Sequence, residues 1–436
     1  SGNIRILSST IISPSTKSVI ANFKAKYPNT KHVTYDAVSY HAIAKANDGI
    51  IPSFNFDKAN VIVSFAADFL VNWLSPVEYA WQYAQGRKLN NGKKTLSKHV
   101  QFETTLSLTG SNADERLPVK PSELGFVVLK LYNDIAIRAK APKIALKHLT
   151  EDYYDKKVVA IGTELWANKG KSLVVCGTND VATQTIVAAI NKLLDNYGST
   201  IDIETHSNLH QGNDEHFAEL MKDMNDGKVG ALILYNSNPV YTAHGFADAM
   251  QKVGLKISLS GTMDETASLC DYVCPDHHYL ESWNDAEPKK GQFSLVQPTI
   301  SPIFNTRSAQ ETLMMWGGVS NPDYHAFIQS TWEKLLFPAA LGFTAHWNES
   351  LHNGVAEIVP MPINLVPINA GWAVPRTFTT ENKAEAKKKL GLGEEVNAEE
   401  KKLSLFDFGW MIATSSEVGG AGDFELVLYE KTGIGI

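Results

Sequence analysis

At 436 residues, 44% hydrophobic and 10% aromatic, the chain has material for two or three packed domains, which excludes general disorder. Its 47 acidic residues outweigh 40 basic ones for a net charge of −7, and no basic stripe interleaves with aromatics, so no nucleic-acid partner is expected. Apolar runs such as residues 231–235 stop far short of the roughly 20 residues that cross a bilayer, so no direct membrane span is expected either.

In chain order, strand-like runs at 4–8, 32–35 and 61–65 alternate with helical patterns at 15–26 and 40–46. Such alternation predicts a parallel sheet with helical crossovers. An aromatic-rich helix follows Pro76 and carries Tyr79, Trp81 and Tyr83; a strand is expected at 99–103 and an amphipathic helix at 127–139. After Pro142 the alternation resumes, with strands at 173–176, 201–204, 231–235 and 256–259 and helices at 181–197, 215–224 and 242–253. The fold class is therefore α/β, with two doubly wound, Rossmann-like units. Beyond Pro275 the sequence turns irregular and proline-rich, with a helix at 324–336, a charge-dense surface stretch at 381–402, and strands at 411–414 and 424–429. A start at Ser1-Gly2 without Met, and an end just past a strand-like run, make a fragment of a longer polypeptide the expectation.

Ligands of open parallel sheets settle at the carboxyl ends of strands, where loops and helix starts offer N–H groups. Two segments occupy such places: Phe65-Ala-Ala-Asp-Phe-Leu-Val-Asn-Trp-Leu-Ser-Pro76, with Asp68, Asn72 and Ser75, and Tyr235-Asn-Ser-Asn-Pro-Val-Tyr-Thr242, with Asn236, Asn238 and Thr242. Each of these residue types also caps helices in any protein, which is the simpler role for one taken alone. The two segments resemble one another as a weak internal repeat. Cys176-Gly-Thr-Asn-Asp180 follows a strand but carries a single glycine, and neither a phosphate-binding Gly-x-x-x-x-Gly-Lys loop nor a Gly-x-Ser-x-Gly elbow occurs. Three cysteines, Cys176, Cys270 and Cys274, cannot assemble a four-thiolate cluster. The grouping Cys270-Asp-Tyr-Val-Cys-Pro-Asp-His-His278 reads as two small buried residues sharing one strand face, followed by a polar turn, rather than as a zinc site.

Eight stretches in this order resemble the molybdopterin oxidoreductase superfamily, and within it the molybdopterin-like branch found in alternative complex III, a quinol-oxidising respiratory complex. They are Ser8-Ser-Thr-Ile-Ile-Ser-Pro14, Phe56-Asp-Lys-Ala-Asn-Val-Ile-Val63 running into Ala67-Asp-Phe-Leu70, Ser111-Asn-Ala-Asp-Glu-Arg116, Asn238-Pro-Val-Tyr-Thr242, Asp264-Glu-Thr-Ala267, His278-Tyr-Leu-Glu-Ser-Trp283, Val296-Gln-Pro-Thr-Ile-Ser-Pro302 and Phe424-Glu-Leu-Val-Leu-Tyr-Glu-Lys431. The resemblance covers nearly the whole chain. It implies that the second α/β unit is inserted into the first, with 1–138 plus 275–436 as a discontinuous domain and 139–274 as the insert. It also implies a pterin cleft marked by Asp68, Asn72, Ser75, Asn236, Asn238, Thr242 and Glu265.

The departures from the pattern shape the functional expectation. Family enzymes ligate molybdenum near the region matching Asp36-Ala-Val-Ser-Tyr-His41, where this chain has no thiol and Ser39 is the alternative metal ligand. Glycines that admit a pyrophosphate are replaced at Ala66, Ala67 and Ser237, whose β-carbons narrow the approach. The implied role is a non-catalytic scaffold of a periplasm-facing respiratory complex, with no cofactor of its own, docked to an iron–sulfur domain of the same polypeptide and to other subunits. Iron–sulfur clusters would belong to that other part of the parent chain. Two other readings stand beside it: a genuine bis-pterin molybdoenzyme carrying molybdopterin guanine dinucleotide and related to polysulfide reductase, with Ser39 on the metal, and a two-lobed nucleotide- or sugar-binding module.

Overall fold

The computed structural model describes residues 2–89, 94–145, 153–336 and 342–357, together with Ser404, Asp407, Met411 and Ile412. In chain order its strands are β1 (Asn3–Ser8), β2 (Thr30–Thr34), β3 (Ile51–Phe54), β4 (Val61–Phe65), β5 (Lys98–Glu103), β6 (Glu115–Pro118), β7 (Ser172–Cys176), β8 (Ile201–Ser207), β9 (Val229–Tyr235), β10 (Leu255–Ser258), β11 (Tyr272–Val273), β12 (Asn284–Lys289), β13 (Gln292–Val296) and β14 (Val355–Glu357). Two sheets are parallel, in the orders β11-β10-β9-β1-β2 and β6-β5-β4-β7. A third, β14-β13-β12-β8-β3, is antiparallel. The chain is α/β with mainly parallel sheets, as its alternating pattern predicts.

Both parallel sheets are covered on two faces, which is why their strands read as continuous apolar runs. All five residues of β4 are buried. Val61, Val63 and Phe65 meet helices Pro121–Ala139, Tyr153–Ala167 and Val181–Leu193, while Ile62 on the opposite face joins Leu173, Val175 and the rings of Phe56, Phe69 and Tyr79. The first sheet repeats the device. Ile6, Ile233 and Tyr235 pack on helices Pro14–Lys26, Ala309–Trp316 and Tyr324–Leu335, and Leu7, Leu232 and Leu234 pack on Asp214–Asn225 and Phe246–Met250. Helix starts follow from local chemistry: Ser13 accepts from the Thr16 N–H at 2.9 Å ahead of Pro14, and Asp180, Asn213, Ser308 and Asp323 cap in the same way.

Two of the sheets are each built from widely separated parts of the chain. β1 pairs with β9 over almost its whole length, so the outer sheet is shared by residues 3–34 and 229–273. β4 pairs with β7, so residues 61–118 and 172–176 build the other sheet. β3 and β8 pair antiparallel with each other. Helix Pro121–Ala139 shares one core with helix Tyr153–Ala167. Sequence alternation marks each strand but carries no record of which distant strand it will pair with.

Local differences have local causes. The helix expected at 242–253 is two short ones, Pro239–Thr242 and Phe246–Met250, separated at Gly245, which holds a left-handed φ of 77°. The strand expected at 201–204 exists, but β8 belongs to the antiparallel sheet and not to a doubly wound one. Met411 and Ile412 are helical rather than extended, with Ile412 buried against Gly125. The stretches 381–402 and 424–429 lie outside the described residues.

Candidate functional site

A cleft of about 1100 Å³ opens at the carboxyl ends of β4, β5 and β7. Its walls come from the segment after β2 (Ala37, Val38, Ser39, Tyr40), the loop after β4 (Ala66, Asp68, Val71, Asn72, Trp73), the end of β5 with the following loop (Glu103 to Leu108), Pro121 and Leu124, and Gly177, Thr178 and Asn179 after β7. Sequence reasoning places Asp68, Asn72 and Ser39 here. It misses Glu103 to Leu108, although the rule that ligands lie beyond strand ends applies equally to β5. Ser75 lines no part of the cleft; it stands before helix Pro76–Gly86 with its hydroxyl on Glu78 at 3.3 Å, not on a backbone N–H.

The loop after β4 turns at Ala66, which adopts a left-handed φ of 53°. Gly177 packs onto that turn so closely that a β-carbon would stand 2.3 Å from the Ala66 carbonyl oxygen. Asp68 then fixes the loop: one of its carboxylate oxygens accepts from the Thr109 N–H at 3.2 Å and hydroxyl at 2.5 Å, and the Thr109 hydroxyl accepts from the Leu70 N–H at 3.0 Å.

The loop after β9 is built on the same frame. Asn236 takes a φ of 50° directly after the strand. The Asn238 side-chain oxygen accepts from the Thr266 N–H at 3.2 Å and hydroxyl at 2.6 Å, and that hydroxyl accepts from the Val240 N–H at 3.0 Å. Asn238 also donates to Glu265 at 2.7 Å, and Thr242 receives the Tyr35 hydroxyl at 2.8 Å. Asn236, Thr242 and Glu265 are exposed. The four candidate residues of the second loop therefore gather at the end of β9, on a different sheet from Asp68 and Asn72.

The residues around the cleft do not fit the diphosphate of a dinucleotide pterin. Among its described lining residues there is no Lys, Arg or His, and two are carboxylates, Asp68 and Glu103. Several backbone donors near the cleft serve side chains of the chain itself. Asp180 accepts from Thr183 N–H at 2.8 Å at the start of helix Val181–Leu193, Ser107 from Gly110 N–H at 2.9 Å, and Glu103 from Ser107 N–H at 3.2 Å. Glu103 is further held by the Ser107 hydroxyl and Arg116, each at 2.6 Å.

Among the described residues no three His, Cys, Asp or Glu side chains gather to hold an ion. Ser39 does line the cleft, with its hydroxyl accepting from the His41 N–H at 3.1 Å. Cys176 is fully buried; burial pushes its thiol up to about 11, far from a reactive thiolate. Cys270 and Cys274 do not share a face as expected. They flank a strand of only two residues, and one packs toward the Leu7 and Leu232 side of the outer sheet while the other packs toward the Ile6 and Ile233 side.

Comparison with known proteins agrees with this layout. Residues 17–313 match the model of the molybdopterin oxidoreductase family. The menaquinone reductase molybdopterin-binding-like subunit of Nitratidesulfovibrio vulgaris is 23% identical over 312 residues, covering 61% of this chain and 44% of that protein, so the chain spans less than half of that relative. The structure of acetylene hydratase from Pelobacter acetylenicus superposes with a TM-score of 0.51 at 12% identity, over 81% of this chain and 60% of the other, a likeness of fold. No helix among the described residues is long and apolar enough to cross a membrane. By the extent of the family match, the chain belongs to the molybdopterin oxidoreductase family.

Proposed function

We propose that this chain is a non-catalytic scaffold within a quinol- or menaquinone-linked respiratory complex of the alternative complex III kind, on the periplasmic side of the membrane and beside an iron–sulfur domain and other subunits. The observation that carries this reading is the cleft at Asp68, where no cation stands among the described lining residues, two of them are carboxylates, and the Ser107 N–H is taken by Glu103. An anionic cofactor entering there would meet the carboxylates of Asp68 and Glu103 and no lining cation. The name of the relative, a molybdopterin-binding-like subunit of a menaquinone reductase, supports the same assignment. Electrons would then pass through clusters elsewhere in the complex and not through this cleft.

The decisive measurement is molybdenum and tungsten by mass spectrometry on the parent complex, with pterin fluorescence after oxidation. The expected content is far below one metal per chain, and stoichiometric metal rejects the scaffold reading. One observation favours the bis-pterin alternative: Ser39 stands in the cleft wall. A dye-linked reductase activity that vanishes in Ser39→Ala would establish that alternative.

A further inference from the structure

We propose that Ile412 is a brace: it seats in a notch at Gly125 and steadies the first turns of helices Pro121–Ala139 and Val181–Leu193, beside one wall of the cleft. The brace is independent of the scaffold assignment, since it acts with or without a cofactor in the cleft.

The notch follows from a missing side chain. Gly125 lies in the second turn of helix Pro121–Ala139, where glycine weakens the helix relative to alanine. A β-carbon there would stand 3.0 Å from Ile412 Cγ2 and 3.4 Å from Thr183 Oγ1, so the glycine admits a contact that alanine would crowd. Ile412 is only 4% exposed and shares a core with Val127, Val128 and Ile186 of the two helices. Pro121 and Glu123 favour the helix start, but Lys120 gives it no side-chain cap. Ile412 thus adds packing where the local sequence supports the helix poorly.

The notch adjoins the cleft. A hollow of about 260 Å³ has Met411, Ile412, Pro121, Leu124 and Thr178 in its wall, and the last three belong to the cleft wall as well. Asp407, Met411 and Ile412 are helical. Ser404 and Asp407 cap each other: the Asp407 carboxylate accepts from the Ser404 N–H at 2.7 Å, and the Ser404 hydroxyl accepts from the Asp407 N–H at 3.2 Å. The brace also reaches in from another core. β14 ends at Glu357, beside the core of Trp347 and Phe293 on the outer sheet, whereas Ile412 joins the core of β4 and β5. The polypeptide therefore changes cores between 357 and 412, and the contact at Gly125 ties the two together.

Hydrogen–deuterium exchange of the purified chain, followed by mass spectrometry, tests the brace. Ile412→Val is expected to speed exchange about fivefold, and Ile412→Ala about tenfold or more, at the starts of helices Pro121–Ala139 and Val181–Leu193, with β1 and β9 unchanged. Gly125→Ala is expected to change sign with its partner. It should speed exchange at these helix starts while Ile412 is present, and slow it in the Ile412→Ala background, where only the helix-favouring effect of alanine remains. Unchanged exchange at the two helix starts in Ile412→Ala, a rise in Ile412→Val spread equally over β1 and β9, or protection by Gly125→Ala in both backgrounds overturns the proposal.

Discussion

The loops after β4 and β9 share a left-handed turn residue, a side-chain oxygen two positions later, and a threonine that closes the loop through three hydrogen bonds. Their surroundings differ. The β4 loop is enclosed by segments from β2, β5 and β7 and forms the floor of the cleft, whereas Asn236, Tyr241, Thr242 and Glu265 of the other half lie exposed. A shared local frame therefore does not determine a binding site; the neighbours brought over it do. The use of Asp at one loop and Asn at the other sharpens the contrast: in the first the frame residue itself is charged, in the second the charge is on Glu265, to which Asn238 donates.

The largest expected effect comes from the closeness of the walls. Gly177→Ala drives a β-carbon into the Ala66 carbonyl, so it should cost about 3 kcal/mol of stability by denaturant unfolding. Gly261→Ala, in the open half, places its β-carbon 3.8 Å from the Asp276 carbonyl and should stay within about 0.5 kcal/mol. Equal losses at the two positions would erase the distinction between the closed and open halves.

Acidification should also separate the units. Burial lowers His99, on β5, to about 4, and lowers His32, on β2, to about 4. A histidine held neutral in the fold but protonated below about 6.5 when unfolded removes stability as pH falls from 6.5 toward 4. For His99, which is fully buried, the loss is on the order of 3 kcal/mol. In the outer sheet Asp276 acts with the opposite sign: burial raises it to about 6, so the fold takes up its proton first and regains stability as pH falls from 6 toward 3.8. Hydrogen exchange at pH 5 should therefore open β4 and β5 before β1 and β9, and the reverse order would contradict this balance.

Removing the closing hydroxyls compares the frames directly. Thr109 and Thr266 are both buried and both donate to the side-chain oxygen. Thr109→Val loses a bond to a carboxylate and should cost about 2 kcal/mol, and Thr266→Val loses a bond to a neutral amide and should cost about 1 kcal/mol. Unfolding midpoints that coincide would show that the carboxylate adds nothing at Asp68.

What the sequence discloses follows the range of the interactions involved. The Val-Ile-Val-Ser-Phe run of β4 and the Leu-Ile-Leu-Tyr end of β9 announce buried parallel strands, because burial on both faces is written in consecutive residues. Asp68 and Asn238 stand out because they follow such runs directly. β3, β12 and β14 escape notice: β3 and β14 are short, and the Pro, Ser, Asn, Asp and Glu residues of the three break any apolar pattern. The pairing of β1 with β9 leaves no local mark for another reason, since it joins residues more than two hundred positions apart. Thr109 and Thr266 carry no local signal either; each acquires its role only when its loop folds onto the preceding parallel strand.

The smallest expected effect concerns Ser75, a candidate site residue outside the cleft wall. Its hydroxyl reaches the Glu78 carboxylate at 3.3 Å without capping a backbone N–H, so Ser75→Ala should change stability by only a few tenths of a kcal/mol. Ser107→Ala, in the cleft wall, removes the acceptor of Gly110 N–H and a donor to Glu103, and should cost about 1 kcal/mol. The Ser107 variant also frees the Gly110 donor beside the cleft. Inorganic pyrophosphate that begins to raise the thermal midpoint of Ser107→Ala, while leaving Ser75→Ala and the parent unchanged, would show that occupied backbone donors are what keep anions out; no change in any of the three would place the exclusion on Asp68 and Glu103 instead.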